Sequence, residues 1–221
     1  MSTVVPDAPP TEWTIADVRA RLPGFPAWRI RTYPAPGTAT EKDLLKAEAR
    51  SGRICELIDG TLVEKVMASI ESMLALALSH FIYLYLDRND VGSLMGEAGF
   101  LEIMPGQVRA PDVSFIRWER LPRAESPKPP IFALAPDLAV EILSKGNTAR
   151  EMKRKLREYF QSGVRLVWCI EPKTRSARAY TATNEWTDIG PGDSLLGGEI
   201  LPGFELPLAQ LFARVEGPRK K

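Results

Sequence analysis

The spacing of apolar positions changes several times along this chain, and each change marks an element. TIADVRARL has helical spacing, and Thr14 followed by Asp17 resembles an N-cap with an acid at the third helical position. A second helix is predicted from Thr40, with Glu41 and Asp43 in its first turn. It ends before Gly52, a residue type that takes a left-handed cap without steric cost. CELIDGTLVEKV then alternates as strand, turn and strand, with Asp59-Gly60 as a two-residue hairpin turn. From Ser69, SIESMLALALSHFIYLYLDRN is apolar over most of a helical circumference. Leu74, Leu78, Phe81 and Tyr85 share one face, with Leu76, Ile82 and Leu84 beside it, so the helix is expected to pack on two sides.

Further along, SLMGEAGFLEIM and QVRAPDVSFI predict two strands turning at Pro105-Gly106. A proline-rich loop, RLPRAESPKPPIF, leads to the strand PDLAVEILS. An amphipathic helix follows from about Thr148 to Ser162, stopping at Gly163, and VRLVWCIEP is a buried strand closed by Pro172. SARAY and EWTDI predict a hairpin, and GGEILPGFELPLAQLF a closing segment. Central strands that are apolar on both faces, with helices between them, predict an α/β sheet. Seven of the nineteen prolines fall in residues 1–39, which suggests a loosely ordered arm before a domain over 40–215 and a basic tail over 216–221.

Composition narrows the class. With 44% hydrophobic and 26% charged residues the chain is an ordinary globular protein, not a disordered or collagen-like one. Its 29 Lys and Arg against 28 acids give a net charge of +1, so bulk charge announces no nucleic-acid binder, although a local patch is compatible with that balance. Cys55 and Cys169 follow no ligand spacing and suit two buried thiols in a reducing compartment. The first residues lack a basic-then-apolar leader. Ser79 and His80 interrupt the most apolar stretch, so no membrane span is expected and a cytoplasmic chain is.

Three places put charge where the pattern predicts core. Asp112 stands in VRAPDVSFI, Glu141 in LAVEILS, and Lys153 and Lys155 in the helix that follows. A buried ionised carboxylate is costly unless it is paired or bound to metal, so two on separate strands suggest a shared cation. His80 is the only histidine, and no cysteine cluster exists, so the cation would be a hard one, Mg²⁺ or Mn²⁺. Each charge also has a structural alternative: pairing of Asp112 with Arg109, a salt bridge from Glu141 to the helix lysines, or a solvated helix face for Lys155.

Pro111-Asp112, then Glu141 on the next apolar strand, then a lysine, resembles the PD-(D/E)XK nuclease superfamily. CELIDGTLVEK, VRAPDVSFI, APDLAVEILS, KLREYFQSGVRLVWCIEP and ILPGFELPLAQLF resemble successive blocks of one bacterial branch of restriction-endonuclease-like proteins, from about Ile54 to Phe212. The resemblance implies a mixed sheet flanked by helices and hydrolysis of a DNA phosphodiester, with RNA as an alternative substrate. Asp112, Glu141 and the Ile142 carbonyl would hold the metal, and Asp112, Glu141, Lys155 and Glu56 would form the catalytic set. Leu143 occupies the position of the superfamily's usual lysine, which points to Lys155 on the next helix, with Lys153 and Lys145 behind it. Glu71, where many members carry histidine, is a further candidate acid. Arg150, Arg154 and Arg157 would contact phosphates, and a homodimer is expected by analogy because cutting two strands takes two sites. The competing reading is a lapsed nuclease acting as a nucleic-acid-binding or protein-interaction module.

Overall fold

The computed structural model describes residues 13–121 and 129–216; most of the proline-rich loop and the basic tail beyond Glu216 lie outside that range. In chain order the helices are α1 (Ile15–Arg21), α2 (Glu41–Ser51), α3 (Ser69–Leu86), α4 (Ala149–Gln161) and α5 (Leu208–Glu216). The strands are β1 (Cys55–Ile58), β2 (Thr61–Glu64), β3 (Gly92–Gly96), β4 (Phe100–Met104), β5 (Gln107–Arg109), β6 (Val113–Arg117) and β7 (Ile131–Phe132). After them come β8 (Leu138–Ile142), β9 (Leu166–Glu171), β10 (Ser176–Ala182), β11 (Glu185–Ile189), β12 (Ser194–Leu196) and β13 (Glu205–Pro207). The smaller of two main sheets has the order β2-β1-β5-β4-β7, the larger β11-β10-β9-β8-β6-β3, and β12 pairs with β13. The mixed α/β architecture anticipated from the sequence is the one observed.

Local chemistry explains most boundaries. Thr14 and Thr40 stand at the N-caps of α1 and α2, each donating its amide and hydroxyl to the carboxylate three residues on, Asp17 and Asp43. Gly52 ends α2 at φ 62°, and Asp59 and Gly60, at φ 46° and 68°, make the turn between β1 and β2. Those positive angles match the twist of a tight hairpin. β8 and β9 run parallel, which requires a crossover, and α4 supplies it.

Two expectations change here. The region read as two strands forms four, and they divide between the sheets: β4 and β5 join the smaller one, β3 and β6 the larger. The break lies at Ala110-Pro111-Asp112, where proline has no N–H for a ladder. The helix α3 packs on one side only. Leu74, Leu78 and Ile82 are fully buried against the larger sheet and α5, whereas Leu76 is 71% exposed and Met73, Tyr83 and Leu84 about half. It also runs unbroken through Ser79 and His80 for 18 residues, long and apolar enough by those measures alone to cross a membrane. Its inner face is instead core of this domain.

Residues 13–39 lie against the domain rather than loosely beside it. Leu22 and Phe25 pack with Ile58 and Val63, and the buried Arg29 pairs with Glu151 in the first turn of α4 at 2.8 Å.

Candidate active site

The two main sheets meet at Ala110-Pro111-Asp112, and α4 closes over the junction. Each element delivers charge to it. The smaller sheet brings Glu56 from β1, Arg109 from β5 and Lys65 just after β2; the larger brings Asp112 and Glu141; α4 brings Lys155, Glu158 and Tyr159. Register makes the acids neighbours. Val113 opposes Val140 at the end of the β6–β8 ladder, so Asp112, just before β6, and Glu141, just after Val140 on β8, lie at the same end of the two strands. The Asp112 amide donates to the Val140 carbonyl at 3.0 Å, and the Ile142 amide donates to Asp112 Oδ2 at 2.5 Å. A strand residue's N–H and C=O leave on one edge, so the Ile142 carbonyl lies on the Asp112 side of β8.

On α4, Lys155, Glu158 and Tyr159 stand three and four residues apart and so share a helical face. Lys155 Nζ lies 2.8 Å from Glu141 and 3.0 Å from Glu56 Oε1. The Tyr159 hydroxyl donates to Glu141 Oε1 at 2.5 Å. Arg109, fully buried, donates to Glu56 Oε2 at 2.8 Å and to Glu158 through Nε at 3.0 Å. Lys65 Nζ contacts Asp112 Oδ1 at 2.6 Å and donates to the Ala110 carbonyl at 2.5 Å.

These contacts set the charge states. Burial would raise the Glu56 carboxyl, but Lys155 and then Arg109 outweigh it and hold that group far below its ordinary value. Burial raises Glu141 above its ordinary value; Lys155 opposes the rise, and the neighbouring Asp112 adds to it. Burial alone would drive the Lys155 ammonium toward neutrality, yet Glu141 and Glu56 keep it charged, above the usual lysine range. Lys155 is thus a fixed cation and a poor proton acceptor. The thiols are inert: burial pushes Cys55 up to about 11 and Cys169 to about 12.

Of the residues singled out in the sequence, Asp112, Glu141, Lys155 and Glu56 converge. Glu71 does not; it is buried, but its carboxylate caps α3 by accepting from the Ala68 amide at 3.1 Å. Lys145 and Lys153 face solvent. Arg150 and Arg157 are exposed on the same α4 face as Lys153. Arg154 is committed elsewhere, to Glu158 at 2.6 Å, Asp59 at 2.8 Å and the Arg21 carbonyl at 2.6 Å, which removes it from the phosphate contacts. Arg109 pairs with Glu56 and Glu158 rather than with Asp112. Lys65 was not among the candidate lysines, although it closes the CELIDGTLVEK block. Its one signal is a cation at the end of an apolar strand.

Among the described residues no group of three or more His, Cys, Asp and Glu side chains is arranged to hold a metal ion. Two carboxylates and a carbonyl still fit Mg²⁺ or Mn²⁺, because such ions are commonly held by one or two carboxylates with water and substrate phosphate completing the shell. Burial raises Glu141 even with Lys155 beside it, so a further cation there would favour its ionised form.

Residues 42–209 match the family described as "Uma2: Putative restriction endonuclease". No curated protein matches the chain. A solved structure described as a putative nuclease belonging to DUF820 from Anabaena variabilis ATCC 29413 is similar with a TM-score of 0.66 and 21% identity, over 74% of this chain and 92% of that one. At that identity the likeness concerns the fold, which is the nuclease-like one anticipated from the Pro111-Asp112 and Glu141 motifs. Matched over most of its length, and with those motifs converged, the chain belongs to the Uma2 family.

Proposed function

We propose that the protein is a metal-dependent endonuclease that hydrolyses DNA phosphodiester bonds at the Asp112–Glu141 pair. The observation that carries this reading is the pair itself: two buried carboxylates at the same end of neighbouring strands, with Lys155 on one of them. Asp112, Glu141 and the Ile142 carbonyl would hold Mg²⁺ or Mn²⁺, which when bound neutralises phosphate charge and makes a water acidic enough to attack at neutral pH. Lys155 keeps its charge and offsets negative charge developing on the phosphate. Glu56 and Tyr159 hold Lys155 and Glu141 in place, and Arg150, Lys153 and Arg157 offer phosphate contacts from the outer face of α4. A homodimer supplies the second site, with the exposed apolar face of α3 as its interface. Between Ile70 and Leu84 the only charged residue, Glu71, is turned inward as a cap, so two copies of that face do not repel.

A second reading, a nucleic-acid-binding module without chemistry, draws support from Lys65, whose ammonium occupies the Asp112 carboxylate. Calorimetry with Mn²⁺ on the wild type, Asp112→Ala and Glu141→Ala, with plasmid nicking on the same samples, separates the two. The nuclease is expected to lose binding and nicking together in both variants. A folded wild type that binds no Mn²⁺ and nicks nothing leaves the second reading standing.

A further inference from the structure

The face of the larger sheet that carries Glu141 continues past the buried acids into an open groove of about 760 Å³. Register traces the connection. Glu141 opposes Cys169, Cys169 opposes Arg178, and Arg178 opposes Asp188, so one row of side chains crosses β8, β9, β10 and β11 on the same face. With strands about 4.8 Å apart, the groove floor at Arg178 lies about 10 Å from Glu141. One wall is α4, through Lys153 and Leu156, two residues before and one after the inward Lys155.

The far end of the groove is aromatic. Trp186 is 47% exposed, with its ring centroid 5.7 Å from that of Tyr180. Asp188 accepts from Arg178 Nε at 2.7 Å and from Trp186 Nε1 at 3.4 Å, and the Arg178 guanidinium lies 5.4 Å from the Trp186 ring centroid. The two planar groups are therefore held together rather than free to turn. Opposite them Lys153 is exposed and has no ion-pair partner among the described residues, and Asn147 and Asn184 offer amides at the rim. Flat apolar surfaces, a few polar groups at the edge and one cation fit a planar heteroaromatic ring attached to a phosphate. A nucleobase in a duplex cannot use such a site, because both its faces are already stacked.

We propose that this groove is a base-binding subsite, and that the strand presented to Asp112 and Glu141 carries an unpaired or flipped nucleotide stacked at Trp186. The proposal rests on the nuclease reading for its substrate, but not for its test. A labelled single-stranded oligothymidylate of about twelve nucleotides, within the length such proteins cover, is titrated in Ca²⁺ and followed by anisotropy beside the same strand annealed to its complement. Nicking in Mg²⁺ is measured in parallel.

The single strand is expected to bind at least tenfold more tightly than the duplex. Trp186→Ala is expected to weaken it by about 5- to 150-fold, the effect of losing one stacked base, while Trp186→Phe retains most of the affinity. Trp186 stands half exposed on an edge strand, so its replacement leaves the fold intact. Equal affinity for both forms, or an unchanged affinity in Trp186→Ala, overturns the subsite even if Asp112→Ala abolishes nicking. Weakened binding in Trp186→Ala with no nicking by any form upholds the subsite and removes the nuclease.

Discussion

Glu56 and Glu141 share one ammonium, yet their carboxyls move in opposite directions. Glu56 receives Arg109 and Lys155 and is held well below the ordinary value of 4.5; Glu141 sits beside another carboxylate and is raised above it. For Glu56 the folded-state value lies below the unfolded one, so its contribution to stability is full above the unfolded value and is lost as pH falls through the folded one. Glu141 has the reverse sign, and its contribution declines as pH rises through its raised value. Glu56→Gln is accordingly expected to cost about 3–5 kcal/mol at neutral pH, because Arg109 and Lys155 each lose a buried partner. The loss should shrink as the pH drops below about 4.5. Urea midpoints at pH 7 and pH 4 measure both. A loss that does not depend on pH refutes the ion-pair account of Glu56. For Glu141 the corresponding expectation concerns activity: nicking should rise with pH through a value above the ordinary glutamate range, since only the ionised form binds a cation.

At the scale of elements, α3 carries two apolar faces with different fates. Leu78 is fully buried against the larger sheet, and Leu76, two residues away, is mostly in water. Leu78→Ala should cost about 2–5 kcal/mol of unfolding free energy. Leu76→Glu should leave the monomer's unfolding free energy within about 0.5 kcal/mol of wild type while dissociating the proposed homodimer. Sedimentation on wild type and variant checks the second point. A wild type that is monomeric at all concentrations eliminates α3 as an interface. The same element logic explains Arg29, which ties the N-terminal segment to α4 through Glu151, to the end of β2 through the Glu64 carbonyl and to the turn before α4 through the Gly146 carbonyl. α4 carries both Glu151, which accepts this tie, and Lys155, so the segment before β1 supports the site from behind.

For the whole molecule, a net charge of +1 conceals an uneven distribution. The buried acids of the site are matched by Lys65, Arg109, Arg154 and Lys155, leaving Arg150, Lys153 and Arg157 as an exposed basic stripe on α4. Three phosphate contacts predict that the logarithm of the affinity for single-stranded DNA falls against the logarithm of salt concentration with a slope of about −2. Replacing all three residues by alanine should bring that slope near zero without altering Mn²⁺ binding. Anisotropy titrations across a salt series test this, and an unchanged slope places the phosphate contacts elsewhere.

Local patterning was enough to place α2, α4, the β1–β2 hairpin and the buried strands β8 and β9, because caps, glycine stops and runs of apolar residues act over a few positions. It also exposed Asp112 and Glu141, since an acid inside an apolar strand conflicts with its own neighbourhood. It could not say which cation meets which acid. Lys65 reaches Asp112 from 47 residues away, and Arg109 bypasses its near neighbour Asp112 for Glu56 and Glu158; both pairings exist only where two sheets and a helix converge. Nor could periodicity tell the inner face of α3 from the outer, because both are apolar and only the sheet beneath chooses between them. The residue types and their spacing thus determined the family and singled out the acids of the candidate site. Their charge states and partners, and the groove that continues from them, were decided by tertiary structure, because burial and distance are properties of the folded chain.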